Sequence, residues 1–307
     1  MQTLKGTVAV VAGATRGAGR GIACMLGEAG ATVYCTGRSV RSRTIPPRPE
    51  GSSAFALAYR PETIEETAEI VTARGGVGIW AQVDHTVPEQ VRAFFERVRR
   101  EQDGRLDLLV NDVWGGDELT EWDKPFWERS LEDGLLMLER AVHAHIITSY
   151  YGVPLMVARR QGLLIEITDS AADSGDNPVN DINCGYRGDL FYDLSKVCAN
   201  RLGYAFSEEL RKVNVTALAI SPGYLRSEAM LDHFGVTEAT WRDAIAKDRH
   251  FAKSETPFYI GRAVVALASD PNVAAKAGKV WTSGQLAHEY VFTDIDGRSI
   301  PAFTVEG

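Results

Sequence analysis

The chain lacks several features that would point away from a reduced, aqueous setting. Four of its 307 residues are cysteine (Cys24, Cys35, Cys184 and Cys198), and no two of them stand in a C-x-x-C spacing. That argues against a disulfide framework or a thiolate metal centre, and for thiols used as small apolar residues. No run of about 18 apolar residues occurs, so no membrane-spanning helix is expected. The opening MQTLKG leads straight into a strand-like run, which gives the expectation of a soluble, cytoplasmic protein without a signal peptide. Lys and Arg number 33 against 41 Asp and Glu, for a net charge of −8 and a pI near 5.4. With no basic block beyond short clusters such as Arg38 to Arg48, nucleic acid is disfavoured as a partner. Nor does a long linker separate two hydrophobic halves, so residues 1–307 are expected to form one domain. His143 and His145 stand two apart in an apolar helical stretch and would face different ways, so no metal pair is expected there.

What is present is an alternation of strands and helices that indicates an α/β fold with a doubly wound parallel sheet of the Rossmann type. Thr7 to Ala12 (TVAVVA) reads as a buried parallel strand, and it enters the glycine-rich turn Gly13-Ala14-Thr15-Arg16-Gly17-Ala18-Gly19. A helix follows, closed by Gly30, and then a second strand at Ala31 to Cys35. Glycines between a strand and a helix let backbone amides approach a pyrophosphate, and the helix start adds positive potential.

The end of the second strand bears on the choice of cofactor. An NAD site usually offers a carboxylate there, whereas this chain has Thr36-Gly37-Arg38. Arg38 and Arg16 instead provide two guanidinium groups for a 2′-phosphate, so NADP(H) is the expected cofactor. Residues 39–61 hold four prolines without clean periodicity and read as a surface insertion beside the adenosine pocket. The third strand, Val77 to Val83, ends at Asp84, whose carboxylate is placed to accept from an adenine amino group. The fourth, Leu106 to Val110, runs into Asn111-Asp112-Val113-Trp114. Aromatic and acidic residues from Glu118 to Trp127 follow and are candidates for a substrate wall. A long helical region is expected over about 130–158, and the segment 228–307 reads as an outer edge and cap.

Tyr192 and Lys196 stand four apart in LFYDLSKVCANRLGYAFSEELRK, so on a helix both project from one face. A phenol with a pKa near ~10 is a poor acid/base at neutral pH, and an ammonium within about 4–6 Å lowers that value by ~1–3 units. The pairing gains weight from its place behind the glycine turn and ahead of Ser221-Pro222-Gly223.

Together, Gly13-x3-Gly17-x-Gly19, Asp84, Asn111, Tyr192-x3-Lys196 and Pro222-Gly223 resemble the short-chain dehydrogenase/reductase family, in a longer branch of it, from Leu4 to about Ser283. The resemblance implies that the glycine turn and Arg38 bind NADP(H), with Asp84 at the adenine and Asn111 on the adenosine side of the cleft. It makes Tyr192 the general acid/base and Lys196 the ligand of the nicotinamide ribose, and it seats the carboxamide at Pro222, Gly223 and Ser227. It further implies a homodimer or homotetramer built on helices at about 130–158 and 190–212.

Three departures bear on the chemistry. The family's Asn-Asn-Ala-Gly reads Asn111-Asp112-Val113-Trp114, and the helix that presents its catalytic asparagine reads Arg140-Ala141-Val142-His143. The serine that contacts the substrate oxygen falls on Thr168-Asp169-Ser170, where Ser170 is the first choice, Asp169 the second and Thr168 the third. An ionised carboxylate cannot donate a hydrogen bond to a carbonyl. The expected function is an NADP(H)-dependent carbonyl reductase or alcohol dehydrogenase acting on a small molecule. The alternative is a non-redox isomerase, cyclase or nucleotide-binding protein on the same fold.

Overall fold

Short runs of β-branched and small apolar residues become the strands of one parallel sheet. The computed structural model describes residues 3–169 and 186–302. In chain order the elements are β1 (Val8–Ala12), α1 (Gly17–Glu28), β2 (Thr32–Gly37), α2 (Ile64–Ala73), β3 (Val77–Gln82), α3 (Pro88–Glu101) and β4 (Leu108–Asn111). There follow α4 (Leu131–Leu138), α5 (Ala144–Arg159), β5 (Leu163–Ile167), α6 (Leu190–Leu210), β6 (Thr216–Ser221), α7 (Glu228–Phe234), α8 (Pro257–Ser269), β7 (Val280–Thr282) and α9 (Ser283–Tyr290). The sheet order is β3-β2-β1-β4-β5-β6-β7, with every pair parallel.

Alternation along the strands sends side chains to two separate cores, because successive residues point to opposite faces. Ala9 and Val11 join Ile22, Leu26, Val71, Ile260 and Val264 on the face covered by α1, α2 and α8. Val8 and Val10 join Phe94, Phe95, Val98, Met156 and Leu210 on the face covered by α3, α5 and α6. The order reverses between β1 and β4, and the loops after those two strands diverge there to open a crevice at the strands' carboxyl ends.

The helical region after residue 130 is divided: α4 passes through a π turn at Glu139–His143 before α5 begins. Such turns disturb the helical ladder and recur at functional sites. Between β2 and α2 the regular structure consists of one 3-10 turn, Leu57–Tyr59. Beyond β6 a small cluster of Phe234, Trp241 and Phe251 organises the segment around α7.

The glycine turn is held from behind by close packing of α1 on α8. A Cβ added to Gly21 would lie 1.9 Å from the Pro257 carbonyl oxygen, and one added to Gly261 would lie 2.6 Å from that of Gly21. The two helices touch backbone to backbone, so a methyl at either site must push them apart. Gly21→Ala is expected to cost roughly 1–3 kcal/mol of stability by overpacking. Urea unfolding should read this as a lower midpoint with an unchanged slope.

Candidate active site

The crevice is a cavity of about 870 Å³ that joins the glycine turn to the start of α6. Gly13 has φ +91 and Gly17 φ +55, backbone conformations that favour glycine, and a Cβ on Gly13 would lie 2.3 Å from the Asp112 carbonyl oxygen. Thr15, Arg16 and Ala18 line the cavity with these two glycines. Gly19 does not line it; a Cβ there would meet the Gly13 carbonyl oxygen at 2.3 Å, so this glycine lets the turn fold onto α1.

The two arginines expected at a 2′-phosphate both face the cavity, each with a carboxylate partner. Arg38 stands 3.9 Å from Asp84, and the Arg16 Nε donates to Glu62 at 3.1 Å. Asp84 also accepts from the Thr86 amide at 3.0 Å and its hydroxyl at 2.7 Å.

At the other end, the Asp189 carboxylate caps α6 by accepting from the amides of Phe191 and Tyr192 at 2.9 and 3.0 Å. This fixes the first turn of α6 and sets Tyr192 and Lys196 on one face, both lining the cavity. The Tyr192 ring packs against Trp114 and Trp122, with centroids 5.4 and 5.0 Å away. Its hydroxyl donates to Asp169 Oδ2, while Arg187 Nη2 lies 3.1 Å from Asp169 Oδ1. The Lys196 ammonium sits 3.6 Å above the Trp114 ring and, among the described residues, has no carboxylate within ion-pair distance.

These contacts reverse the expected effect on the phenol. Burial, then the Asp169 charge and hydrogen bond, push the Tyr192 pKa well above its ordinary value. The physical reason is burial first, and then that the charge at the hydroxyl is the Asp169 anion while the lysine ammonium rests on Trp114. Burial likewise lowers Lys196, against the opposing pull of Asp169, Asp117 and Asp112.

Beneath this end lies a polar cluster that sequence spacing does not reveal. Asn111 is fully buried and outside the cavity lining; its amide donates to Ser149 at 2.9 Å and Glu166 at 2.7 Å. His145 joins it, with Nδ1 2.6 Å from Glu166 and Nε2 3.0 Å from the Val113 carbonyl oxygen. The π turn carries no asparagine, and the histidine just after it braces the loop that bears Asp112 and Trp114. The Thr168 hydroxyl donates to the Lys196 carbonyl at 3.0 Å, Asp169 meets Tyr192, and Ser170 lies outside the described residues.

Pro222, Gly223 and Ser227 line the cavity from the β6 side. The Gly223 amide donates to Glu255 Oε2 at 3.0 Å, and burial pushes that glutamate up to about 8. Ser227 caps α7, accepting from the Met230 amide at 3.3 Å. Asp117, Arg187, His145, Glu228 and Glu255 complete the surroundings. No short motif marks them, because they arrive from distant parts of the chain.

A switch-point crevice with a glycine turn at one end and a Tyr–Lys helix face at the other describes a class of dinucleotide-dependent enzymes. A family model described as enoyl-(acyl carrier protein) reductase matches residues 50–281. Dehydrogenase/reductase SDR family member 1 of Homo sapiens is 33% identical over 303 residues, covering 97% of this chain and 86% of the relative. Two solved structures share the fold. A short-chain dehydrogenase from Mycobacterium thermoresistibile has a TM-score of 0.73 at 18% identity, covering 98% and 95% of the two chains. A metagenomic short-chain oxidoreductase in complex with NADP has a TM-score of 0.60 at 22% identity, covering 88% and 94%. The chain belongs to the short-chain dehydrogenase/reductase family of oxidoreductases.

Asp112 gives the site a signature that can be measured without a substrate. Burial raises its pKa to about 7, outweighing the nearby Lys196 and His145 charges and the Gly19 amide. Its unfolded value is near ~3.9, so above that pH the folded state holds the proton longer. Stability from this group is therefore lost as pH rises towards the folded pKa. Asp112→Asn is expected to raise the melting temperature more at pH 8 than at pH 5, as read by scanning fluorimetry. An equal shift at both pH values would show that Asp112 is not the titrating group.

Proposed function

We propose that the protein is an NADP(H)-dependent oxidoreductase that interconverts a carbonyl and an alcohol on a small molecule. The observation that carries this reading is the placement of Tyr192 and Lys196 on one face of α6, opening into the same cavity as the glycine turn. Clearance at Gly17, where an added Cβ would find its nearest neighbour 3.8 Å away, fits the approach of a pyrophosphate. Gly13, Thr15, Gly17 and Ala18 would hold the dinucleotide backbone, with Arg16 and Arg38 at a 2′-phosphate and Asp84 at the adenine. The structural relative in complex with NADP supports the phosphorylated form. When bound, the nicotinamide supplies or accepts hydride.

The chain's own part is to place and protonate. Lys196, without an ion-pair partner among the described residues, is available to the ribose hydroxyls. Pro222, Gly223 and Ser227 bound the carboxamide end, and Glu255 fixes the Gly223 amide from behind. The raised pKa keeps Tyr192 protonated, as a general acid must be before it gives a proton to a carbonyl oxygen, and the same shift weakens the phenol as an acid while Asp169 stands at its hydroxyl. Asp169 stands at the Tyr192 hydroxyl, and Ser170, the first choice for the substrate oxygen, lies outside the described residues. Asn111, buried under the loop, supports the floor of the cleft rather than the adenosine.

Exposed Leu131, Leu135, Ile146, Tyr150 and Leu194 lie on α4, α5 and α6, which supports a homodimer or homotetramer joined through that face. A cytoplasmic location accords with the absence, among the described residues, of any helix long and apolar enough to cross a membrane. The non-redox alternative draws its support from the carboxylate at the Tyr192 hydroxyl, and stoichiometric oxidation of NADPH with substrate would reject it.

Across a panel of ketones and aldehydes, Tyr192→Phe is expected to lower kcat by about a hundredfold or more, the usual range for loss of a general acid. Activity that survives would remove Tyr192 from the mechanism. In the oxidative direction the phenolate is required, so the rate rises with pH through the Tyr192 pKa. Asp169→Asn removes a charge that raises that pKa. Its rising limb is expected at lower pH than in the wild type, and a limb that stays in place would contradict the assigned contact.

A further inference from the structure

The first turn of α1 already carries an anion from the chain itself. The Gly17 amide donates to Glu228 Oε2 at 2.8 Å, across 211 positions of sequence. The Arg20 Nε lies 3.7 Å from the other oxygen of the same carboxylate. Glu228 is the first residue of α7, immediately after Ser227, and the next two residues, Ala229 and Met230, also line the cavity.

A second carboxylate ties α7 down on its far side. Asp232 Oδ2 lies 2.5 Å from Nη1 of Arg60, whose side chain is 4% exposed. Arg60 also pairs with Glu62, the residue that engages Arg16. Thus α7 is held against the glycine turn by Glu228 and, through Arg60, against the chain that leads into α2.

An amide at a helix start is where a dinucleotide places its pyrophosphate. A glutamate carboxylate and a phosphate oxygen cannot both sit within hydrogen-bond distance of one N–H without strong like-charge repulsion. We propose that Glu228 competes with the cofactor pyrophosphate for the Gly17 amide, so that this residue sets dinucleotide affinity and links the position of α7 to nucleotide binding. This rests on the dinucleotide-binding reading above and goes beyond it, because it assigns a residue that opposes binding. Since α7 also walls the cavity, exchange of the anion alters the wall that a substrate meets.

Glu228→Gln keeps an oxygen acceptor and nearly the same volume while removing the charge. Titration of the purified full chain by NADPH fluorescence is expected to give a Kd roughly tenfold lower for Glu228→Gln than for the wild type. Inorganic pyrophosphate, used as a competitor, should gain affinity in parallel, whereas phosphate-free adenosine should not. Glu228→Asp keeps the charge on a shorter arm and serves as the test should the glutamine variant fail to fold; it is expected to fall between the two. An unchanged or higher Kd in a folded variant, or an equal gain for adenosine, would overturn the proposal while leaving the dinucleotide reading intact. If neither wild type nor variant binds NADPH, the dinucleotide reading fails and this proposal with it.

Discussion

A buried ammonium that, among the described residues, has no carboxylate within ion-pair distance is the constraint around which this molecule is arranged. Lys196 stands inside the cleft on the face of Trp114, with Asp112, Asp117 and Asp169 near enough to act on it electrostatically but beyond contact. Taking a charge out of water costs several kcal/mol unless it is compensated. Here compensation comes from an aromatic face and a diffuse set of carboxylates, and among the described residues none forms an ion pair with the ammonium. Three groups around it are displaced from ordinary behaviour: burial raises Asp112 and Asp117, and Tyr192 is raised by burial and by Asp169.

Those displacements depend on the fold, since one sheet brings all the participants to one edge. Asp112 follows β4, Asp169 follows β5 and Gly223 follows β6, all leaving the sheet at its carboxyl end. The side chains beneath them, Asn111, Glu166 and His145, pair with one another and with the Val113 carbonyl, so the loop carrying Trp114 has a rigid floor. The Asn111 amide nitrogen and both His145 nitrogens find partners in this network, and the His145 bond to Val113 ties it to the loop above.

Much of this could be read from the chain alone, and the remainder has a common reason for being hidden. Apolar runs bounded by glycines gave the strands, and Gly13 to Gly19 with Tyr192 and Lys196 marked the two ends of the cleft, because each of these signals is local. The direction of the Tyr192 shift was not legible, since it is set first by burial in the folded cleft and then by Asp169, 23 positions away. Asn111 looked like a cleft residue from its motif and proves to be turned towards Glu166, 55 positions on. His145 seemed unremarkable because its partners lie on a strand and a loop rather than on its own helix. Glu228 carried no motif at all, and its meeting with Gly17 exists only once the sheet has closed the distance.

On the proposed reading Lys196, which has no ion-pair partner among the described residues, serves the ribose of a nicotinamide dinucleotide lying between the glycine turn and Tyr192. A crystal structure of the full chain with NADP+ tests it most directly. The account predicts the Lys196 Nζ within hydrogen-bond distance of the nicotinamide ribose oxygens, with the Tyr192 hydroxyl beside the nicotinamide ring. A dinucleotide bound away from α6, with Nζ still seated on Trp114, would contradict it.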